Sequence, residues 1–96
     1  MDRMIYLNSL YDIYKDLLTD KQKEYYEAYY FDNLSLSEIA DNYNVSRNAI
    51  FNQLKIIEDK LVEFEEKLKL NEKQKKILEI LEKSDKKVYE EIKGIF

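Results

Sequence analysis

At 96 residues the chain can build one hydrophobic core and is too short for two. It has no cysteine or histidine, which excludes disulfides and thiolate or imidazole metal sites, and no proline; its one glycine is Gly94. With 45% apolar and 38% charged residues, nearly all good helix formers, the composition predicts an all-α helical bundle, while the net charge of −4 runs against the basic surface usual for a nucleic-acid binder.

The charge is uneven. Residues 1–65 hold 7 basic and 13 acidic side chains, a net of −6, whereas residues 66–96 hold 9 and 7, a net of +2. Any affinity for nucleic acid must therefore come from a local patch. No apolar run approaches a membrane span, and the N-terminal MDRMIYLNSL lacks the layout of a signal peptide, so a cytoplasmic location is expected.

Met4, Leu7, Leu10, Tyr11, Tyr14, Leu17 and Leu18 recur at three- and four-residue steps and predict a first amphipathic helix over residues 2–18. Thr19 and Gln22 form a capping box for a second helix from about 20 to 31, which Asp32 and Asn33 end. Ser35 and Glu38 form another, starting a short helix at Leu36 with Ile39, Ala40 and Tyr43 facing a core. Asn44 is the expected turn residue, because Asn tolerates the left-handed backbone that a tight turn between helices demands. Val45 is expected to plug the corner, Ser46 to cap the next helix, and Ala40 to allow the close crossing. This is the pattern of a helix-turn-helix.

The helix starting at Arg47 meets no stop signal until Asn71. Ile50, Leu54, Ile57, Leu61, Phe64 and Leu68 form a heptad seam along it, longer than a minimal recognition helix needs. Its second half must bury that stripe, and a homodimer through the helices after residue 57 is expected to supply the cover. Asn71 and Gln74 are read as the cap of a further helix from about 72 to 83; Ser84 and Asp85 break it before a last stretch around Val88, Ile92 and Ile95. The chain thus divides into a helix-turn-helix domain, residues 1–70, and a C-terminal helical extension, residues 71–96.

On the second helix of the motif, Asn48, Asn52, Lys55 and Asp59 occupy the sector opposite the seam, and Arg47 stands in the first turn. Asn pairs bidentately with adenine, and Arg or Lys binds guanine or phosphate, so Arg47, Asn48, Asn52 and Lys55 are the candidate nucleic-acid-binding residues. Against this, Glu38 and Asp41 balance Arg47 and Lys55 within residues 35–57, and a neutral face gains little from counterion release. The competing reading is that these are ordinary solvated side chains. Phe51 and Ile56, on the flanks, are expected to be buried by other helices or by a dimer partner, the alternative being an apolar patch for a partner. Tyr25, Tyr26, Tyr29, Tyr30 and Phe31 invite an RNA-stacking reading, but aromatics at this spacing are expected in the core with their phenol tips in water. The lysine-rich stretch from Lys67 to Lys76 reads as a solvated face.

No constellation for catalysis is visible, and no metal or cofactor is expected. Nucleophile and base of the usual Cys or His kind are missing, no glycine-rich loop cradles phosphate, and pairs such as Glu65/Glu66 and Glu90/Glu91 point to different sides of a helix. A binding protein is expected rather than an enzyme.

The run from Leu18 to Lys55, with LT-x-x-Q-K-x-Y, YY-x-D-x-LSLSEIA and VSRNAIFNQLK, resembles the YlxM family of small helix-turn-helix proteins, and the resemblance continues through EFEEKL at residues 63–68. It implies a fold like region 4 of bacterial sigma factors and a regulatory link to the signal recognition particle pathway. Relative to sigma factors only Arg47 matches; Ala49 and Phe51 stand where those proteins often carry Arg. The resemblance therefore implies a scaffold derived from that fold rather than a functioning sigma factor. Two functions follow as expectations: a DNA-binding regulator, with RNA left open as its nucleic acid, or an accessory protein binding the particle's RNA or protein components.

Overall fold

A computed structural model describes residues 2–95. Six α-helices follow in order: α1 (Arg3–Tyr14), α2 (Asp20–Tyr30), α3 (Leu36–Tyr43), α4 (Arg47–Leu68), α5 (Leu70–Glu82) and α6 (Lys86–Lys93), with a 3-10 turn at Lys15–Leu17. The first predicted helix is thus shorter than expected. Its last turn tightens into the 3-10 segment, which turns Leu18 into the core and leaves Leu17 exposed. Met4, placed on the apolar stripe by its spacing, is also exposed, at the edge of a groove with Tyr29, Tyr30 and Leu34.

Both capping boxes form as read. The Thr19 hydroxyl accepts from the Gln22 amide while the Gln22 side chain accepts from Thr19, and Ser35 and Glu38 repeat the exchange, each bond at 3.1 Å. These pairs fix the start of α2 and α3 from sequence-local chemistry.

Packing is organised around α4. Ile50, Leu54, Ile57 and Leu61 of the heptad seam are buried against Leu10, Tyr11 and Tyr14 of α1, Tyr25, Tyr26 and Ala28 of α2, and Ile39 and Ala40 of α3. The seam's second half finds part of its cover within the chain: α1 lies along it, and Phe64 packs on Tyr14 with ring centres 5.8 Å apart. Leu68, at the end, is left exposed.

The core is rich in phenols, and each must find a hydrogen-bond partner where water is excluded. The expectation that the tyrosine tips of α2 reach water is corrected for Tyr26 and Tyr30, whereas the Tyr25 and Tyr29 hydroxyls have no partner among the described residues and stay accessible. Tyr26 donates to Asn8 at 2.6 Å and Tyr30 to Glu58 at 2.6 Å, while Tyr11 donates to Glu27 and Tyr14 to Glu65, the last at 2.7 Å. Tyr25 is buried edge-on to Tyr43, whereas Tyr29 and Phe31 stay exposed.

The end of α4 departs from the reading. It stops at Leu68, and Lys69 takes a left-handed backbone with φ 54°; α5 begins at Leu70, so Asn71 lies inside the helix and is buried rather than capping it. The cap comes from the fold instead. Glu65 accepts from the amides of Asn71 (3.1 Å) and Glu72 (3.2 Å), and the Tyr14 hydroxyl accepts from that of Leu70 (3.1 Å). A carboxylate at a helix N-terminus also complements the dipole. This latch directs α5 away from the bundle, and α6, capped by Asp85, packs on it. The molecule is consequently 53 Å long and 25 Å across in the other two directions.

Burial first, then the bond to Glu65, pushes the Tyr14 phenol up to about 12 from its ordinary 10.0. Tyr11, Tyr26 and Tyr30 are raised as well, again chiefly by burial. Above pH 10 the unfolded chain releases these protons while the folded chain keeps them. The stabilisation is therefore complete below about pH 10 and is lost as pH rises through the folded values. The urea midpoint should fall between about pH 9 and about pH 11.5, less steeply in Tyr14→Phe; a midpoint independent of pH over that window contradicts the assignment. In the same assay Glu65→Ala should cost about 1.5–3 kcal/mol, the usual range for hydrogen bonds to a charged group, and should speed amide exchange at Asn71 and Glu72.

Candidate nucleic-acid interface

Three residues turn α3 into α4. Asn44 has φ 54° and ψ 44°, the left-handed conformation predicted for it, and its amide returns to the carbonyls of Ala40 and Asp41. The Val45 amide bonds to the Ala40 carbonyl at 3.1 Å, and the Ser46 hydroxyl accepts from the Ala49 amide at 3.0 Å to start α4. Ile39 and Ala40 are buried beneath the turn. Val45 is not the plug it was expected to be. It is 39% exposed and lines a shallow groove with Thr19, Lys21, Tyr25, Ala49 and Gln53, the corner being filled from below by Ile39, Ala40 and Ile50.

Arg47, Asn48, Asn52 and Lys55 are all exposed, within the first two and a half turns of α4. Arg47 and Lys55 form no ion pair with any of the described residues, and Asn48 and Asn52 make no side-chain hydrogen bond among them. From Arg47 to Ile57 the helix carries these two cations and no acid. The nearest carboxylate along the helix, Glu58, is engaged by the Tyr30 hydroxyl and by Arg3 at 3.8 Å; Asp59 follows, exposed. Glu38 sits at the far end of α3, its carboxyl held below the ordinary range by the Ser35 hydrogen bonds. Asp41, the motif's other acid, is exposed on α3 just before the turn, so the first eleven residues of α4 are cationic while the motif as a whole stays neutral.

Phe51 and Ile56 are not buried by the chain, as one reading of the sequence expected. They are 53% and 43% exposed. The helices of the bundle cover the seam of α4 and only part of its flanks. Phe51 edges a shallow groove with Tyr29, Tyr30, Leu36 and Lys55, and it stands one turn from both Arg47 and Lys55 on the same row. Exposure was the alternative reading of Phe51, and its position one turn from two exposed cations was the signal in its favour.

A short helix, a left-handed asparagine and a second helix with its polar side turned outward define a helix-turn-helix protein. The chain belongs to the family described as "Putative helix-turn-helix protein, YlxM / p13 like" (UPF0122), whose profile matches residues 1–95. It is similar to a UPF0122 protein of Oceanobacillus iheyensis, 40% identical over 99% of this chain and 95% of the relative. A UPF0122 protein of Halalkalibacterium halodurans is 45% identical over 85% of this chain and 75% of its own length, and one of Shouchella clausii is 48% identical over 76% and 67%. Among the described residues no helix is long and apolar enough to cross a membrane.

The turn carries its own test. Because β-branched residues pay a steric penalty of about 1–2 kcal/mol in the left-handed region, Asn44→Val should lower stability by that amount while Asn44→Gly leaves it nearly unchanged. Equal thermal midpoints for the two variants contradict a left-handed turn at this position.

Proposed function

We propose that this protein is a regulatory, non-enzymatic helix-turn-helix protein that binds duplex DNA, with Arg47, Asn48, Asn52 and Lys55 entering the major groove. The observation that carries the reading is the state of these four side chains: exposed together on α4 and unengaged by other described residues, along eleven residues that hold two cations and no acid. Arg47 and Lys55 serve phosphate or guanine, and Asn48 and Asn52 serve adenine. The α4 N-terminus, with its dipole and the amides of Arg47 and Asn48, adds an attraction for phosphate. Residues 1–70 act as the binding domain, on a scaffold akin to sigma region 4, and residues 71–96 as an extension. A homodimer formed by the helices after residue 57 is supported by the exposed Leu68, Ile77, Ile80 and Val88.

The second reading, an accessory protein of the signal recognition particle that binds the particle's RNA or protein components in the cytoplasm, draws on the net −6 of residues 1–65, which weakens long-range attraction to any polyanion. It favours a protein partner over duplex DNA.

Titration of labelled duplexes over a range of salt separates the two. A DNA regulator binds with a negative salt slope, and Arg47→Ala and Lys55→Ala each reduce that slope by about one. Absence of duplex binding at low salt, with recovery of the particle's components in a pull-down, decides for the second reading. Light scattering on a size-exclusion peak at micromolar concentration should give twice the 11.7 kDa chain mass; 11.7 kDa itself overturns the dimer.

A further inference from the structure

On the first turns of α4 the exposed side chains form two neighbouring rows at four-residue spacing: Arg47, Phe51 and Lys55 on one, Asn48 and Asn52 on the other. Phe51 is 53% exposed between two cations, and it is continuous with an aromatic and aliphatic groove lined by Tyr29, Tyr30 and Leu36, which makes it part of a patch rather than an isolated exposed side chain. An apolar partner surface would match the ring and leave the flanking charges without partners. A polyanion alone would match the charges and leave the ring in water. What satisfies both is a polyanion carrying an apolar group, and the major groove of duplex DNA offers one, the C5-methyl of thymine, which stands between the phosphate ridges. The second row matches the base paired with it, since adenine presents N7 and N6 to a carboxamide.

From this we infer that Phe51 is a specificity-determining residue that reads thymine through its methyl group, making A·T steps the preferred target of α4. The inference rests on the duplex-binding reading and names its substrate class. Arg47 and Lys55 hold phosphates on either side, Asn48 and Asn52 contact adenine, and the Phe51 ring covers the methyl of a thymine in the same stretch. Its own support comes from the groove that the ring edges, walled by Tyr29, Tyr30 and Leu36, where the one acid, Glu58, is held by the Tyr30 hydroxyl and Arg3.

The test is selection of bound duplexes from a random pool, followed by replacement of thymine with deoxyuridine in the selected sequence. That replacement removes the methyl and leaves the pairing edge intact. The wild-type chain should select A·T steps and lose about fourfold in affinity for each contacted methyl removed, the value of one buried methyl-sized group. Phe51→Ala should bind the thymine duplex about as weakly as the wild type binds the deoxyuridine one, and should no longer distinguish them. Phe51→Leu, which keeps an apolar contact, should retain part of the discrimination. The thermal midpoints of both variants should match the wild type, since the side chain is half in solvent. Equal affinity of the wild type for both duplexes, or discrimination that survives in Phe51→Ala, overturns the role of Phe51 and leaves duplex binding standing. Failure to bind any duplex at low salt overturns both.

Discussion

A phenol whose hydroxyl is cut off from water has to be supplied with an acceptor, and in four tyrosines of this core that requirement fixes how the helices meet. Leaving a buried hydroxyl unpaired costs about 1–3 kcal/mol, so the position of each acceptor is as restrictive as the shape of the ring. Tyr11 on Glu27 and Tyr26 on Asn8 bind α1 to α2 in both directions. Tyr14 on Glu65 binds α1 to α4, and Tyr30 on Glu58 binds α2 to the same helix. Aliphatic packing alone permits some sliding of one helix along another; four phenol bonds at different heights do not. Tyr11 and Tyr26 also stack, with ring centres 4.2 Å apart, so the two interhelical bonds share one rigid pair of rings.

The same requirement alters the meaning of the acidic balance. Counted along the chain, residues 1–65 look hostile to a polyanion. Counted in space, Glu27, Glu58 and Glu65 are acceptors for core phenols and Glu38 completes a helix cap. Their charges persist, but they are committed to internal hydrogen bonds, and the first eleven residues of α4 contain none of them. Net charge bounds long-range attraction and solubility; it does not describe the face that approaches a partner.

What was legible in the sequence is what local chemistry determines. The capping boxes, the left-handed Asn44 and the Ser46 cap each depend on residues within four positions of one another, and each forms. The heptad seam was legible for the same reason, since spacing alone selects Ile50, Leu54, Ile57 and Leu61. The break at Lys69 was not. Lysine has no preference for a left-handed backbone, and the groups that stabilise the break are Glu65, six and seven residues from the amides it accepts from, and Tyr14, which arrives from the other end of the fold. Asn71 gave a misleading cap signal for that reason. Val45 was misjudged in the opposite sense, and for Phe51 and Ile56 the single chain supplies only partial cover: residue type argued for burial, and the arrangement of the other helices decides which flanks of α4 receive it.

One helix therefore does two tasks that are usually separate. The first half of α4 presents the candidate interface, and the second half carries the bonds from α1 and the start of the arm. Its 22 residues span about 33 Å with no loop between Arg47 and Glu65. The latch sets the direction in which α5 leaves that helix. In the proposed dimer the arms join the two copies, and the angle at Lys69 would then fix the distance between the two interfaces. Helix-turn-helix dimers read half-sites about one helical turn of DNA apart, so this distance decides which spacings are accessible. A bond between a tyrosine in the first helix and a glutamate in the fourth would in that way govern recognition without touching the nucleic acid.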